Sequence, residues 1–508
     1  MGHLLDAFVA LAAPLPLFYI FIGVFLGCTV GAIPGLTGSM LIALTLPLTY
    51  YMTSVNAITL LVSMYIGAIS GGLITATLLR IPGTPASVVT TFDGYPMARA
   101  GKSGRAIGVG IMASFVGGLV AWVFLVLLAP VMARFALKFT SFELFSLVLM
   151  ALVLIAAVGQ GSILRAIIAG FLGIMAGVPG VDPIVGRVRM TFGANEMIGG
   201  FGLLPVLIGL FGISQILNDV ADVETKLERI PLSFKGMFLS LRELKENAVN
   251  LVRSSVIGTW IGILPGVGAT IGSIMAYWAA KNSSKHPERF GKGSEEGIIA
   301  SEAANNATIN GAIIPLITIG IPGSIITAIL LGAFILHDLN PGPLLFTSAP
   351  EVVYGIMAAA FVANVVMFIV MIGGSVVMAR LVDVPRAILQ PLLIVFCVIG
   401  TFALNNRFFD VWVMFGFGLL GFAMEKARVP LGPFIIGFIL SGIAELNLRS
   451  SLMYADGSLA PFVTRPISLT FIIIAIATLG WTLYREFGHK ISIFDRAESE
   501  IGEQGEAE

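Results

Sequence analysis

The chain has 508 residues, of which 57% are apolar and only 11% charged, against roughly 25% charged in an ordinary soluble domain; no soluble fold could hide that much apolar surface. Its formal net charge is zero and its basic residues form no block, so no nucleic acid partner is implied. Two cysteines, Cys28 and Cys397, lie in apolar segments and read as packing residues.

The stretch Met1 to Pro16 lacks a basic n-region and a small-residue cleavage site, so it reads as a short interfacial helix leading into the first span. From Ala7 to Leu79 there is no Asp, Glu, Lys, Arg or His. Further uncharged runs follow at Ile107–Val131, Leu144–Leu164, Met197–Asn218, Ser254–Ala280, Ala303–Leu336, Val352–Ala379, Ala387–Asn406 and Pro466–Tyr484. A hydrocarbon core of about 30 Å takes about 20 helical residues to cross, so each run can span and some can also hold a break. The expected fold class is all-α: a polytopic integral membrane protein of about 12 transmembrane helices in a lipid bilayer. The expected organisation is an N-terminal transmembrane repeat at 1–217, a charged linker at 218–247 and a C-terminal transmembrane repeat at 248–450. An extra terminal helix at 451–484 and an acidic polar tail at 485–508 complete it.

The two halves resemble each other. Gly27-x3-Gly31-x2-Pro34-Gly35 returns 231 positions later as Gly258-x3-Gly262-x2-Pro265-Gly266. Gly71 and Ile81-Pro82-Gly83-Thr84 return 240 positions later as Gly311 and Ile321-Pro322-Gly323-Ser324, and Pro205-x3-Gly209 returns as Pro433-x3-Gly437. Paired Gly/Pro-interrupted segments in corresponding places point to the binding site of a secondary transporter. Arg80, Arg99, Lys102 and Arg105 mark one connection as cytoplasmic, whereas its counterpart after Ile321 has no Lys or Arg before Arg380, which favours inverted repeats.

Proline in a helix interior removes a hydrogen bond, and glycine beside it loosens the backbone. In hydrocarbon such a break survives only where it is buried or lines a wet cavity. The segments holding Pro34-Gly35 and Pro265-Gly266 therefore each end one half-helix and start another, whose N-terminus offers peptide N–H groups to an anion. Candidate substrate-binding residues are Gly35, Thr37, Gly38 and Ser39 in the first break and Gly266, Gly268 and Thr270 in the third. The second pair of breaks, at Pro82 and Pro322, adds Thr84, Ser87, Ser324 and Thr327, with Thr90 and Thr91 downstream of the former. Upstream of Pro322, Asn305, Asn306 and Thr308 are unusually polar for an apolar run; the alternative role is helix–helix hydrogen bonding. The twin breaks around Pro34 and Pro265 are expected to face each other across a wet cavity and offer peptide N–H groups to an anion.

Glu302 is the candidate for cation coupling, because charge inside a membrane is costly. Asp93, Glu143 and Glu445 are weaker candidates placed near the membrane surface, and Arg80 and Arg165 are equally consistent with anion attraction and with snorkelling anchors. Gly101-Lys102-Ser103 has Pro96 where a P-loop needs glycine, and no H-E-x-x-H or G-x-S-x-G occurs, so no enzyme machinery is expected. His3, His286, His337 and His489 are scattered and imply no metal site.

The stretches Gly27–Gly38, Ile81–Lys102, Gly180–Phe192, Leu203–Ile213, Gly258–Gly268, Glu302–Ser324 and Asn340–Phe346 resemble the large membrane subunit of the tripartite tricarboxylate transporter family, from about Leu15 to Arg449. The resemblance implies a bacterial inner-membrane carrier importing citrate-like or other small carboxylates on a Na+ or H+ gradient, without a cofactor. It also implies two partners, a small membrane subunit and a periplasmic solute-binding protein. Thr37 stands at the position matching Gly268, where the family usually has glycine, which bears on the size and polarity of the first half-site. The competing readings are an ion-coupled carrier for another solute, or an intramembrane enzyme acting on lipid-linked substrate.

Overall fold

A computed structural model describes residues 2–158, 162–221, 230–381 and 386–505. Residues 222–229 of the charged linker and 506–508 of the tail lie outside the described residues. Apart from a two-stranded antiparallel hairpin, Gly180–Val181 against Val188–Arg189, the regular structure described is helical. Among the described residues, eight helical stretches are long and apolar enough to cross a membrane, and seven shorter apolar helices accompany them, so the chain is a multi-pass membrane protein.

The uncharged run from Ala7 to Leu79 resolves into three main helices, Pro14–Gly31, Gly38–Thr49 and Ser54–Leu78, following a short one at Gly2–Leu11. Its counterpart resolves into Ala248–Ile263, Gly268–Ser283 and Glu295–Ile319. Glu295–Ile319 is as long as Ser54–Leu78 but is not among the eight apolar stretches, because Ser301, Glu302, Asn305, Asn306 and Asn310 lower its hydropathy. It is buried from Gly297 to Thr318, so protein rather than lipid surrounds these polar groups. Ser294 caps its start by accepting from Gly297 N, and Gly320 in the left-handed region (φ 71°) ends it.

By packing, the chain forms two compact units. The first comprises Met1–Lys138 and Gly193–Ala423 and holds all four helix breaks; the second comprises Phe139–Phe192 and Met424–Glu508. Each unit draws on both sequence halves, so the expected halves are not the units of compact packing.

Within the first unit the repeat extends from motif to contact. A Cβ on Gly27 would stand 2.4 Å from the Met64 carbonyl oxygen, and one on Gly31 2.1 Å from that of Ala68. In the second half a Cβ on Gly258 would stand 2.3 Å from the Ala304 carbonyl oxygen, and one on Gly262 2.5 Å from that of Thr308. The partners, like Gly71 and Gly311, are related by 240 positions. Glycine is required at all four positions because the helix backbones touch there, the packing mode that small residues permit in membranes. The breaks dock the same way: Gly83 lies against the Gly31 carbonyl oxygen and Gly323 against that of Gly262.

In the second unit Gly173 lies against the Phe434 carbonyl oxygen, bringing helix Ile163–Gly177 close to Leu431–Tyr454. Beside the hairpin, Arg189 and Arg449 both pair with Asp182 and Glu445. The backbone N–H of Val185 and the Arg449 guanidinium hold the Asp182 carboxyl well below the usual carboxylate range. Glu143 is buried against Arg465 at 2.5 Å. Glu143 and Glu445 are thus members of structural ion pairs. The helix Pro466–Gly505 continues from the terminal span through the described part of the tail.

Candidate functional site

The four prolines Pro34, Pro82, Pro265 and Pro322 all lie in non-helical backbone, each between two helical elements. The first and third breaks match in sequence but differ in build. In the first, Gly35 takes the left-handed region (φ 92°), and Thr37 is an extended N-cap whose Oγ1 accepts from Met40 N at 3.1 Å. Thr37 also shares a hydrogen bond of 2.9 Å with Ser39, and Gly38 is buried. In the third, Gly266 (φ 72°) and Gly268 (φ 70°) are both left-handed, and helix Gly268–Ser283 starts without a side-chain cap. Thr270 stands half-buried in its first turn. A threonine at the position of Gly268 closes the helix start with its own hydroxyl; glycine leaves it open.

The second and fourth breaks are built alike. Thr84 and Ser87 share a hydrogen bond of 2.9 Å, and their counterparts Ser324 and Thr327 form a reciprocal capping box, Ser324 N donating to Thr327 Oγ1 at 2.8 Å. The contacts between halves run crosswise. Tyr65 Oη meets Ser324 Oγ at 3.1 Å, and a Cβ on Gly38 would stand 3.4 Å from Ile326 Cδ1, joining the Pro34 break to the Pro322 break. Helix Gly268–Ser283 packs on the turn Pro85–Val88, joining the Pro265 break to the Pro82 break.

Helix Glu295–Ile319 carries the polar centre. The fully buried Glu302 carboxylate accepts from Thr90 Oγ1 at 2.5 Å and from Ser114 Oγ at 3.1 Å. Thr90 also meets Ser301 Oγ at 3.1 Å, and Ser273 Oγ donates to the Ser301 carbonyl oxygen. Asn306 accepts from Ser70 Oγ at 2.7 Å, which ties the two long central helices of the halves together. Thr308 donates back to the Ala304 and Gly258 carbonyl oxygens, a helix-packing role. Asn305 is fully buried one turn from Glu302, and its amide lies against the Glu302 carboxylate.

Asp93 is shielded from solvent by the protein. It is fully buried, and its Oδ1 accepts from the backbone N–H groups of Gly291, Gly293 and Ser294 at 2.8–2.9 Å while Tyr277 Oη donates to Oδ2 at 2.8 Å. It fixes the loop that feeds helix Glu295–Ile319 and is structural. Arg80 is exposed and lies 5.8 Å from the Tyr95 ring centroid; Arg165 is exposed in the second unit.

Reading the sequence alone did not single out Tyr65, Ser70, Ser114 or Asp219. Asp219 sits beside the first break: a Cβ on Gly35 would stand 2.9 Å from its Oδ1, which accepts from Gln215 Nε2 at 3.0 Å. For Tyr65 a signal existed, since it occupies in the first half the position that Asn305 occupies in the second, 240 residues on. The arrangement can hold an anion on peptide N–H groups, hydroxyls and an amide, and a cation on the Glu302 carboxylate, both within protein and away from bulk water.

The model of the Tripartite tricarboxylate transporter TctA family matches residues 17–436. A relative from Agrobacterium vitis, an uncharacterized 52.8 kDa protein in the TAR-I ttuC' 3' region, is 34% identical over 480 residues, 94% of this chain and 95% of its own length. A second from the same organism, an uncharacterized protein in the TAR-II ttuC' 3' region, is 34% identical over 215 residues, 42% of this chain and 89% of its own length. No solved structure matches the chain.

Proposed function

The chain belongs to the tripartite tricarboxylate transporter TctA family, and from that premise we propose that it is the permease subunit that carries small carboxylates inward across the bacterial inner membrane on a Na+ or H+ gradient. It works with a small membrane subunit and a periplasmic solute-binding protein that delivers the substrate. The substrate sits among the half-helix starts at Gly38 and Gly268, the hydroxyls of Thr84, Ser87, Ser324 and Thr327, and the amides of Asn305 and Asn306. Glu302 carries the coupling cation. The repeats lie inverted in the membrane, and their rearrangement about the site alternates access.

One observation supports this reading above the others: a fully buried carboxylate, Glu302, lies among hydroxyls and amides on a helix that packs against helix Gly268–Ser283, whose start has no side-chain cap. A scaffold would have no use for such a cluster, and an intramembrane enzyme would place acids or histidines at the breaks where this chain has hydroxyls and amides. The test is uptake of labelled citrate by proteoliposomes containing both membrane subunits, with binding protein outside and an imposed ion gradient. Gly266→Leu is expected to abolish uptake while leaving assembly intact; normal uptake in that variant refutes the site. Competition by a panel of carboxylates, amino acids and sugars tests the substrate class, and competition by a non-carboxylate alone would overturn it.

A further inference from the structure

We infer that the chain binds an anionic phospholipid at the C-terminal end of helix Gly268–Ser283, where two basic segments remote in sequence meet beside an aromatic cavity. Arg99 and Lys102 follow helix Thr90–Met97, whereas Lys281 stands in the last turn of helix Gly268–Ser283 and Lys285, Arg289 and Lys292 in the loop after it. Asp93 brings them together. From helix Thr90–Met97 it accepts from the backbone N–H groups of Gly291, Gly293 and Ser294, and a Cβ on Gly293 would stand 3.4 Å from Met97 N. Arg99, Lys102, Lys285, Arg289 and Lys292 are exposed. Of the carboxylates nearby, Glu288 pairs with His286, Glu243 and Glu295 pair with Arg105, and Asp93 is buried. Glu296 offsets one further charge, so the surface keeps a cationic excess.

Beside it lies a cavity of about 240 Å3 whose lining includes Val89, Phe92, Ile274, Trp278, Lys281 and Phe290. Its walls are fixed. Phe92 and Phe290 meet the Tyr277 ring edge-on at 5.9 and 5.3 Å, and the Tyr277 hydroxyl donates to Asp93 at 2.8 Å. One buried carboxylate thus holds both the basic loop and the aromatic wall. Phe92 is 47% exposed and Trp278 54%, large apolar groups at the protein surface of the kind that sit at a membrane interface. The Lys281 ammonium lies 5.3 Å from the Trp278 ring centroid, so the cavity combines aromatic walls with a cation.

That combination fits an amphiphile. A phosphate held by Lys281 leaves the first acyl methylenes to cover Phe92, Ile274 and Trp278, which a free phosphate would leave bare. The surrounding lysines and arginines favour a headgroup of net negative charge over a zwitterionic one, since each adds attraction toward an anionic lipid surface. The site also touches the transport elements. Val89 directly follows the turn Pro85–Val88 of the second break, and helix Gly268–Ser283 starts at the third, so a bound lipid braces two break-bearing segments from outside.

The test titrates the purified full-length chain in neutral detergent with phosphatidylglycerol, with phosphatidylcholine of the same acyl chains and with soluble glycerol phosphate, following the midpoint of thermal unfolding. Phosphatidylglycerol should half-stabilise the native chain at a mole fraction about fivefold or more below phosphatidylcholine, and glycerol phosphate should do nothing. Lys281→Gln should raise the phosphatidylglycerol value about fivefold, the effect of one lysine close to an anionic lipid. Lys102→Gln, on the same surface but off the cavity lining, should stay within about twofold. Ile274→Trp fills the cavity with every cation in place and should erase the preference between the lipids; Phe92→Ser, at an exposed position, serves if that variant does not fold. Equal losses in Lys281→Gln and Lys102→Gln would overturn the site in favour of diffuse attraction. Equal stabilisation by the two lipids, or stabilisation by glycerol phosphate, would overturn it as well. No uptake is read, so the outcome stands apart from the carrier reading.

Discussion

Replacing Glu302 by glutamine tests the coupling role most directly, because the substitution preserves shape and removes only the charge. The carboxylate is fully buried, with hydroxyls of Thr90 on Oε1 and Ser114 on Oε2 and the Asn305 amide beside it. An ion held in protein interior loses several kcal/mol of hydration, which neutral hydrogen bonds offset only in part, so in the proposed coupling a proton or metal cation would complete the balance. Glutamine keeps one acceptor. Its Nε2 can donate to whichever hydroxyl rotates to accept, and Thr90 retains Ser301 as an alternative partner at 3.1 Å. Glu302→Gln is therefore expected to leave stability unchanged or raise it by about 1–3 kcal/mol. Concentrative uptake in proteoliposomes should fall at least 100-fold, equivalent to about 2.7 kcal/mol of driving interaction. Exchange of labelled for unlabelled substrate without a gradient should persist, since the substrate groups are untouched. Gradient-driven accumulation at native levels in Glu302→Gln would refute the reasoning, and so would a loss of exchange equal to the loss of accumulation.

Two further outcomes follow from the packing and the surface electrostatics. Gly262→Ala places a methyl group 2.5 Å from the Thr308 carbonyl oxygen and should cost about 3 kcal/mol or more, whereas Gly268→Ala enters open space and should cost only the left-handed backbone penalty of about 1–2 kcal/mol. Thermal unfolding in detergent compares them, and equal losses would contradict the close-contact reading. Outside the spans, the Ser240 backbone N–H, then Arg105 and the Ser240 hydroxyl, lower the Glu243 carboxyl to about 2. A depressed folded-state pKa stabilises above the ordinary carboxylate value near 4.5 and is lost as pH falls toward 2. Hydrogen exchange in residues 241–246 should therefore accelerate between those pH values, and Glu243→Gln should show the fast exchange already at neutral pH.

The position of a residue on a repeated pattern was legible without coordinates; the partner it finds was not. Pro34, Pro82, Pro265 and Pro322 could be placed in breaks because proline and glycine act on their own backbone, and the structure puts all four in non-helical segments. The role of Asp93 was not legible, because the three N–H groups that fix it come from a loop about 200 residues away. Asn306 and Asn305 look equivalent in a sequence. One bonds Ser70 across 236 residues, and the other lies against Glu302 on its own helix.

Composition by itself settled the membrane environment, since burial of apolar surface is a property of amounts and not of arrangement. The repeat and its four breaks were equally fixed by the chain, as local backbone consequences of proline and glycine. Which partner each polar group finds was decided only in three dimensions. That outcome depends on whether a side chain reaches a group on the opposite half, as Tyr65 reaches Ser324, or one on its own helix, as Asn305 meets Glu302.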